Sequence, residues 1–230
     1  MIKFFRKIRY NLMSENKTGK YFKYAIGEIV LVVIGILIAL QINNWNESRK
    51  QKQAEIEFLK GIKNDLSQDK LFIEQVLNIT EPKMQAFKKL NTDSLDISKD
   101  KASIDSLLKV YLNTGQRTFY PISGSYQAAI SGNQINTYKN KELMQSIIKL
   151  YNSSYERVID NGKILDIRWS DISKMYIHER RSKKFNVTDS LYLTKTLDDL
   201  YFHFIQLQWY ENVLVLTSNE IDNVLNKIPN

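Results

Sequence analysis

The stretch 24-YAIGEIVLVVIGILIALQINNWNESRK-50 decides the architecture. From Ala25 to Ile42 it runs 18 residues with one charged side chain, Glu28. As an α-helix this segment spans about 27 Å at ~1.5 Å per residue, against a bilayer core roughly 30 Å thick. Tyr21, Phe22 and Tyr24 flank one end and Trp45 the other, the depth that amphipathic rings favour. The segment reads as a transmembrane helix. No small-x-small cleavage site follows it, and Gln41 to Trp45 continue the helical pattern, so it reads as an uncleaved signal anchor.

Charge sets the expected orientation. Residues 1–24 carry Lys3, Arg6, Lys7, Arg9, Lys17, Lys20 and Lys23 against Glu15, a net +6 out of a total of +8. Arg49, Lys50 and Lys52 follow the span. This imbalance predicts a cytoplasmic N-terminus and a large C-terminal part outside, in the periplasm of a two-membrane bacterium. Beyond Glu28 the chain is close to neutral, so a nucleic-acid footprint is not expected. The chain has no cysteine, which excludes disulfides and thiol chemistry.

Glu28 does not prevent insertion. Ile29 to Leu40 holds ten Ile, Val and Leu residues, worth about −3 to −6 kcal/mol together, and a central acidic residue costs about +2.5 to +3.5. At about 100° per residue, Glu28, Val32, Gly35, Ala39, Ile42 and Asn46 fall within about 40° of one line. A carboxylate, a Gly-xxx-Ala pair and a terminal amide on one face suit an associating transmembrane helix. The alternative is that Glu28 snorkels to the interface. The opening MIKFFRKIRYNL places Ile2, Phe5, Ile8 and Leu12 on a second stripe, either a basic amphipathic helix on an anionic leaflet or a tail that sets topology.

The remaining 188 residues, 43–230, are scarce in Gly and Pro and predict long helices. Leu59, Ile62, Leu66, Ile73 and Val76 keep heptad spacing, interrupted by Asp69, to about Thr80. Glu81-Pro82 predicts an end or restart, with a short helical piece over 82–91. Ser103 reads as the cap of a helix through Asn113, and Asn140 as the cap of a long helix carrying Met144, Ile147, Tyr151, Tyr155, Val158, Gly162, Leu165, Trp169, Ile172 and Tyr176 inward. That helix is expected to end in 178-HERRSKK-184, a solvated basic terminus or a ligand patch. In the last segment Leu193, Leu200, Leu207, Leu214, Ile221 and Ile228 recur every seven residues, with a half-apolar row three earlier (Ser190, Leu197, Phe204, Glu211, Ser218, Leu225). This pattern predicts one long helix in an antiparallel bundle.

Between these helices lies 114-TGQRTFYPISGSYQAAISGNQINTYKN-140, the least regular stretch. Ser123 can cap a short helix and Gly132-Asn133 can end it. Tyr126, Gln127, Ser131 and Gly132 form a candidate interaction corner, because irregular segments on a rigid scaffold often carry function. The other reading is a corner that packs its aromatics inward.

No phosphate loop, zinc-binding, calcium-binding or nucleophile-elbow motif occurs. Asp199 and His203 stand at i, i+4 and share a helix face, but two ligands without a third read as an ordinary surface pair. Asp160, Asp166 and Asp171 have no evident partner in the sequence. No catalytic residue, metal or cofactor is expected, and the chain reads as a non-enzyme.

The segment 20-KYFKYAIGEIVLVVIGILIALQINNWNE-47, with its MIKFFRKIR start, resembles a family of small single-span bacterial membrane proteins classed as a domain of unknown function. Residues 126-YQAAISGN-133 followed by 140-NKEL-143 resemble that family's second block. The resemblance implies a location and a helical fold, with no activity, substrate or cofactor. The expectation is therefore an all-α protein. It has a cytoplasmic tail (1–24), a membrane helix (25–42) that continues into a coiled-coil-like or antiparallel bundle, and a periplasmic domain (43–230). It would act as an interaction or scaffold module that binds itself or another envelope protein, or alternatively as a ligand-sensing bundle working through a partner chain.

Overall fold

The computed structural model describes residues 6–7, 10, 18–92, 96 and 99–229. It is all-α, with no strand among the described residues. The stripe Ile2, Phe5, Ile8 and Leu12 lies outside them. The helices are α1 (Thr18–Leu90), α2 (Lys101–Asn113), α3 (Gly124–Ser131), α4 (Lys141–Lys149), a π-helical turn Leu150–Tyr155, α5 (Glu156–Met175), α6 (Ile177–Ser182) and α7 (Ser190–Lys227). The chain divides into two compact units, Met1–Glu55 and Ile56–Asn230.

In the first unit, α1 carries an 18-residue window of mean hydropathy 2.6, none of it buried within the protein. By length and composition this is a helix able to cross a membrane.

The second unit is a helical bundle. Hydrogen bonds give the directions of its long members. Lys70 pairs with Asp222 and Thr80 with Glu211, while Phe87 stacks on Phe204, so α7 runs antiparallel to α1. Lys227 reaches Glu142 at the start of α4, whereas Tyr176 at the end of α5 donates to Asp199, so α7 is antiparallel to α4–α5 as well. Tyr155 meets Asp69, and Trp169 meets Lys83, so α1 and α4–α5 run parallel.

The seven-residue row of α7 is buried throughout, as its spacing predicts. Its partner row differs from expectation. The buried line is Thr196, His203, Tyr210, Thr217 and Val224, three residues after each Leu or Ile rather than three before. Four of those five side chains are polar, and a search for apolar residues passes over them.

Three helix boundaries also differ. α1 continues through Pro82 to Leu90 rather than stopping near Thr80. The packed faces on either side of Pro82, Val76 and Met84 to Phe87, hold one helix against the loss of a single backbone bond. α2 begins at Lys101, two residues before Ser103, with Asp100 at its cap. The long helix capped by Asn140, whose side chain accepts from the Leu143 N–H at 3.1 Å, is not uniform. It widens into the π-turn at 150–155 and breaks at Tyr176 before the short α6. Tyr-Asn-Ser-Ser-Tyr supplies that turn with weak helix formers whose side chains compete for backbone bonds.

Candidate functional site

The loop 114–123 and α3 form a corner held by side chains from four directions. Asp65 and Asp69, one turn apart on α1, accept from the Ser125 N–H (3.2 Å) and the Ile122 N–H (2.9 Å). The Tyr210 hydroxyl on α7 accepts from the Phe119 N–H at 2.7 Å. The Tyr151 hydroxyl donates to the Ile122 carbonyl at 3.2 Å. On α5, Asp166 accepts from the Thr118 hydroxyl at 2.8 Å. A loop normally lacks such internal partners, and its backbone polar groups would otherwise stay unmet on burial. Here each contact fixes one more point of the corner.

Asp69 is the centre of this arrangement. It is fully buried, with Oδ1 on the Ile122 N–H and Oδ2 accepting from the Tyr155 hydroxyl at 2.7 Å. Burial pushes its carboxyl up to about 6, Asp65 adds to the rise, and the two hydrogen bonds oppose it. The hydroxyls of Tyr155, Tyr151 and Tyr126 are also raised, chiefly by burial, so none is a ready base at neutral pH. Both oxygens of Asp69 are committed to structure.

The π-turn completes the corner. Tyr151 and Tyr155, both in this turn, face inward. Tyr151 stacks on Tyr126 at 4.3 Å with an interplanar angle of 6°, and the Tyr126 hydroxyl donates to Asn152 at 3.0 Å. Such turns concentrate at functional sites. Gly61 on α1 permits the close approach of α3, since a Cβ there would lie 2.5 Å from Ser125 Oγ and 3.1 Å from its Cβ.

What the corner turns outward differs from what it buries. Phe119 is inside, whereas Tyr120 is 54% exposed. Beside it opens a pocket of about 220 Å³ lined by Tyr120, Pro121, Tyr126, Gln127, Asn152 and Glu156, among others. An aromatic ring, two amides and a carboxylate on a fixed backbone can offer stacking and directed hydrogen bonds to another molecule.

Of the expected corner residues, Tyr126 and Gln127 line this pocket. Ser131 and Gly132 lie at the far end of α3, where Gly132 closes the helix and Asn133 takes the left-handed conformation at φ 50°. Phe119 and Tyr126 pack inward, as the second reading of the stretch expects, and Tyr120 does not. On the first unit, Val32, Gly35, Ala39 and Ile42 are exposed, and Glu28 and Asn46 are partly so. Among the described residues, a Cβ added at Gly35 would meet no atom beyond its own stretch of helix within 4 Å. Arg49 reaches Asn46 at 3.4 Å and lies 5.8 Å from the Trp45 ring centre.

The Asp199–His203 pairing does not form. Asp199 accepts from Tyr176 and Lys195, both at 2.7 Å. His203 is fully buried and bridges Tyr111 (Nδ1, 2.7 Å) and Gln116 (Nε2, 2.9 Å). Burial first, then Lys83 and Arg168, push its imidazole down to about 3. It is a neutral core histidine rather than half of a surface pair. Asp160 and Asp166, without evident partners in the sequence, pair with Lys163 and Thr118.

Residues 28–213 match a family of unknown function, DUF6090. The chain belongs to this family. The match includes Glu28, the Tyr126–Gly132 corner and the clamping residues Asp65, Asp69, Tyr151 and Tyr210. No curated protein and no solved structure matches the chain.

Proposed function

We propose that this DUF6090 protein is a single-span envelope protein whose helical domain is an interaction module. In this reading residues 25–42 lie in the inner membrane, the N-terminus is cytoplasmic and the bundle is periplasmic. The partner is another envelope protein that docks on the Tyr120–Gln127 corner, and the Glu28 face pairs with a second copy. The observation that carries the reading is the corner itself: a loop clamped by Asp65, Asp69, Tyr210 and Tyr151, presenting an exposed aromatic beside a shallow pocket. Rigid, aromatic-centred patches are how protein interfaces concentrate binding energy.

A second feature supports it. Phe202, Trp209 and Leu216 recur every seven residues along the outer side of α7, at 48%, 63% and 62% exposure. A packed core with an apolar strip outside suits a scaffold. The sensor alternative is less well supported, because the corner pocket of about 220 Å³ falls below the roughly 300–1,000 Å³ of ordinary small-molecule sites. A larger pocket of about 680 Å³ is lined mainly by polar and charged side chains, among them Lys149, Ser153, Arg157 and Glu220, rather than by an apolar wall.

Two experiments in intact cells test this. A photo-cross-linking residue at Tyr120 or Gln127 should give adducts of discrete mass, with none from the exposed control Gln208. Uniform smearing at all three positions would sink the docking corner. A single cysteine replacing Asn46 should react with a membrane-impermeant maleimide and oxidise to a homodimer, whereas one replacing Ser48, about 200° around the helix, should not dimerise. Protection of both positions would overturn the topology, and dimers at neither would leave Glu28 a snorkelling residue.

A further inference from the structure

Away from the corner, a second polar cluster surrounds Trp169. Lys83 enters it from α1. The Lys83 side chain is fully buried, and its Nζ has no hydrogen-bond partner. The Nζ lies 3.1 Å from the Trp169 ring centre and 5.7 Å from that of Tyr111. Arg180, on the short α6, brings its guanidinium carbon to 5.5 Å from the same indole, and its Nε is likewise buried and unpartnered. His203 stands with its ring 5.1 Å from Trp169, both nitrogens taken by Tyr111 and Gln116.

The acids on neighbouring helices are engaged elsewhere. Asp199 holds Tyr176 and Lys195, Glu179 accepts from Tyr192, Glu211 from Thr80, and Asp166 from Thr118. Burial and then the like charge of Arg180 push the Lys83 amine down to about 6, with no carboxylate acting on it. A native core leaves few buried donors unmet. Here two of them, from separate helices, converge on one ring with no acid to balance them.

We propose that Lys83 Nζ and Arg180 Nε form a buried site for a small monovalent anion, a halide or a formate-sized carboxylate, beside Trp169. The size follows from burial, since a larger ligand would have to part α1 from α5. Arg180 marks the route in. It is only partly buried, on a helix set between the bend at Tyr176 and the left-handed Lys183 (φ 53°). Binding consumes a proton, because the neutral amine becomes an ammonium as the anion enters. Affinity therefore falls about tenfold per pH unit above 6. The groups facing Lys83 are Arg180, Tyr111, Trp169 and His203; burial raises the Tyr111 hydroxyl and lowers the His203 imidazole to about 3, so neither of these two blurs that slope between pH 6 and 7.5.

The test uses the full chain in detergent, with Trp45 and Trp209 replaced by Phe so that Trp169 is the reporter. Sodium chloride and sodium formate are titrated at constant ionic strength against sodium gluconate, whose anion is too large for the site. A saturable change in Trp169 emission is expected at pH 6, with half-saturation at least tenfold higher at pH 7.5. Lys83→Met, which keeps the volume and whose cooperative melt is checked first, should lose the response. Arg180→Gln should weaken it at least tenfold. An emission unchanged by both salts, a response retained in Lys83→Met, or one indifferent to pH would each overturn the proposal and leave Lys83 an uncharged amine packed on an indole.

Discussion

Asp69 and Lys83 sit two heptads apart on the buried side of α1, and the bundle treats them in opposite ways. Around Asp69 it supplies two donors, one for each oxygen. Around Lys83 it supplies an indole face, a guanidinium and no hydrogen bond. Both groups carry proton affinities displaced toward neutrality by burial, so displacement alone does not distinguish them. Their partners do. A buried charge whose bonding capacity is spent on the protein's own backbone is a structural clamp, and one left with unmet donors is available to something else.

The comparison breaks first at Asp69. Asp69→Ala leaves the Ile122 N–H and the Tyr155 hydroxyl buried without acceptors, and each orphaned group costs about 1–3 kcal/mol. Denaturant unfolding in detergent should therefore show a loss of about 3–5 kcal/mol, with Asp69→Asn losing roughly half of that because one oxygen remains. The cross-link from Tyr120 should vanish in the Ala variant while the homodimer through position 46 persists. A loss below about 1 kcal/mol would mean that the corner is not clamped by this carboxylate.

Next in size is the pH profile, where the two residues should pull in opposite senses. Asp69 is raised from 3.8 to about 6 in the folded chain, so between those values the native state holds the extra proton. Its contribution is fully present below about pH 4 and is lost as pH rises through 6. Lys83 is lowered from 10.5 to about 6, so the unfolded chain binds more protons over that range. Its contribution is absent below pH 6 and grows as pH rises toward 10. Burial also raises Glu211, which adds a slope of the same sign as Asp69. Difference curves isolate each residue. Subtracting Asp69→Asn should remove a decline between pH 4 and 6, and subtracting Lys83→Met should remove a rise above 6. Slopes of the reverse sign would refute these assignments.

Gly61 offers a smaller test of the clamp. The α1–α3 approach leaves 2.5 Å to Ser125 Oγ for an added Cβ, so Gly61→Ala should cost about 1–2 kcal/mol despite alanine's better helix propensity. Ser125→Gly in the same chain should recover most of the loss by clearing both the Oγ and the Cβ. Equal costs in the single and double variants would place the strain elsewhere.

How far the sequence foretold these features depends on which residues carried the signal. Apolar residues at fixed spacing were legible. The long apolar N-terminal helix, the row Leu193 to Ile228, and the helix starts after Ser123 and Asn140 all fall where their patterns predict. The corner was legible as a place, because its irregularity and its Gly and Pro stood out. The residues that build it were not. Asp69 broke a heptad and read as an interruption, although a polar residue on an otherwise apolar line is also how a buried clamp presents itself. His203, Tyr210, Thr196 and Thr217 were hidden in the same way, as polar members of a core row. Pro82 misled through a local rule that tertiary packing overrides. The π-turn follows from a run of residues merely weak in helix propensity, which has many local outcomes.

The smallest expected effect is the most discriminating. Toward pH 10 the Lys83 amine becomes neutral in the unfolded chain as well as in the folded one, so there Lys83→Met exchanges an unmet buried donor for a thioether of similar volume. The gain from removing the orphaned polar group and the loss of the amine–indole contact nearly cancel, leaving stability within about 1 kcal/mol of wild type. At pH 5 the wild type must bury an ammonium without a partner, so the Met variant should be clearly the more stable; by pH 10 the gap should close. Formate or chloride at pH 6 should narrow that gap by stabilising the wild type alone, because an anion that binds the folded state shifts its unfolding in proportion to the logarithm of its concentration. A structural lysine would show the pH dependence without the salt dependence. A site would show both, and their coincidence at one residue separates an amine that is merely tolerated from one that is held ready.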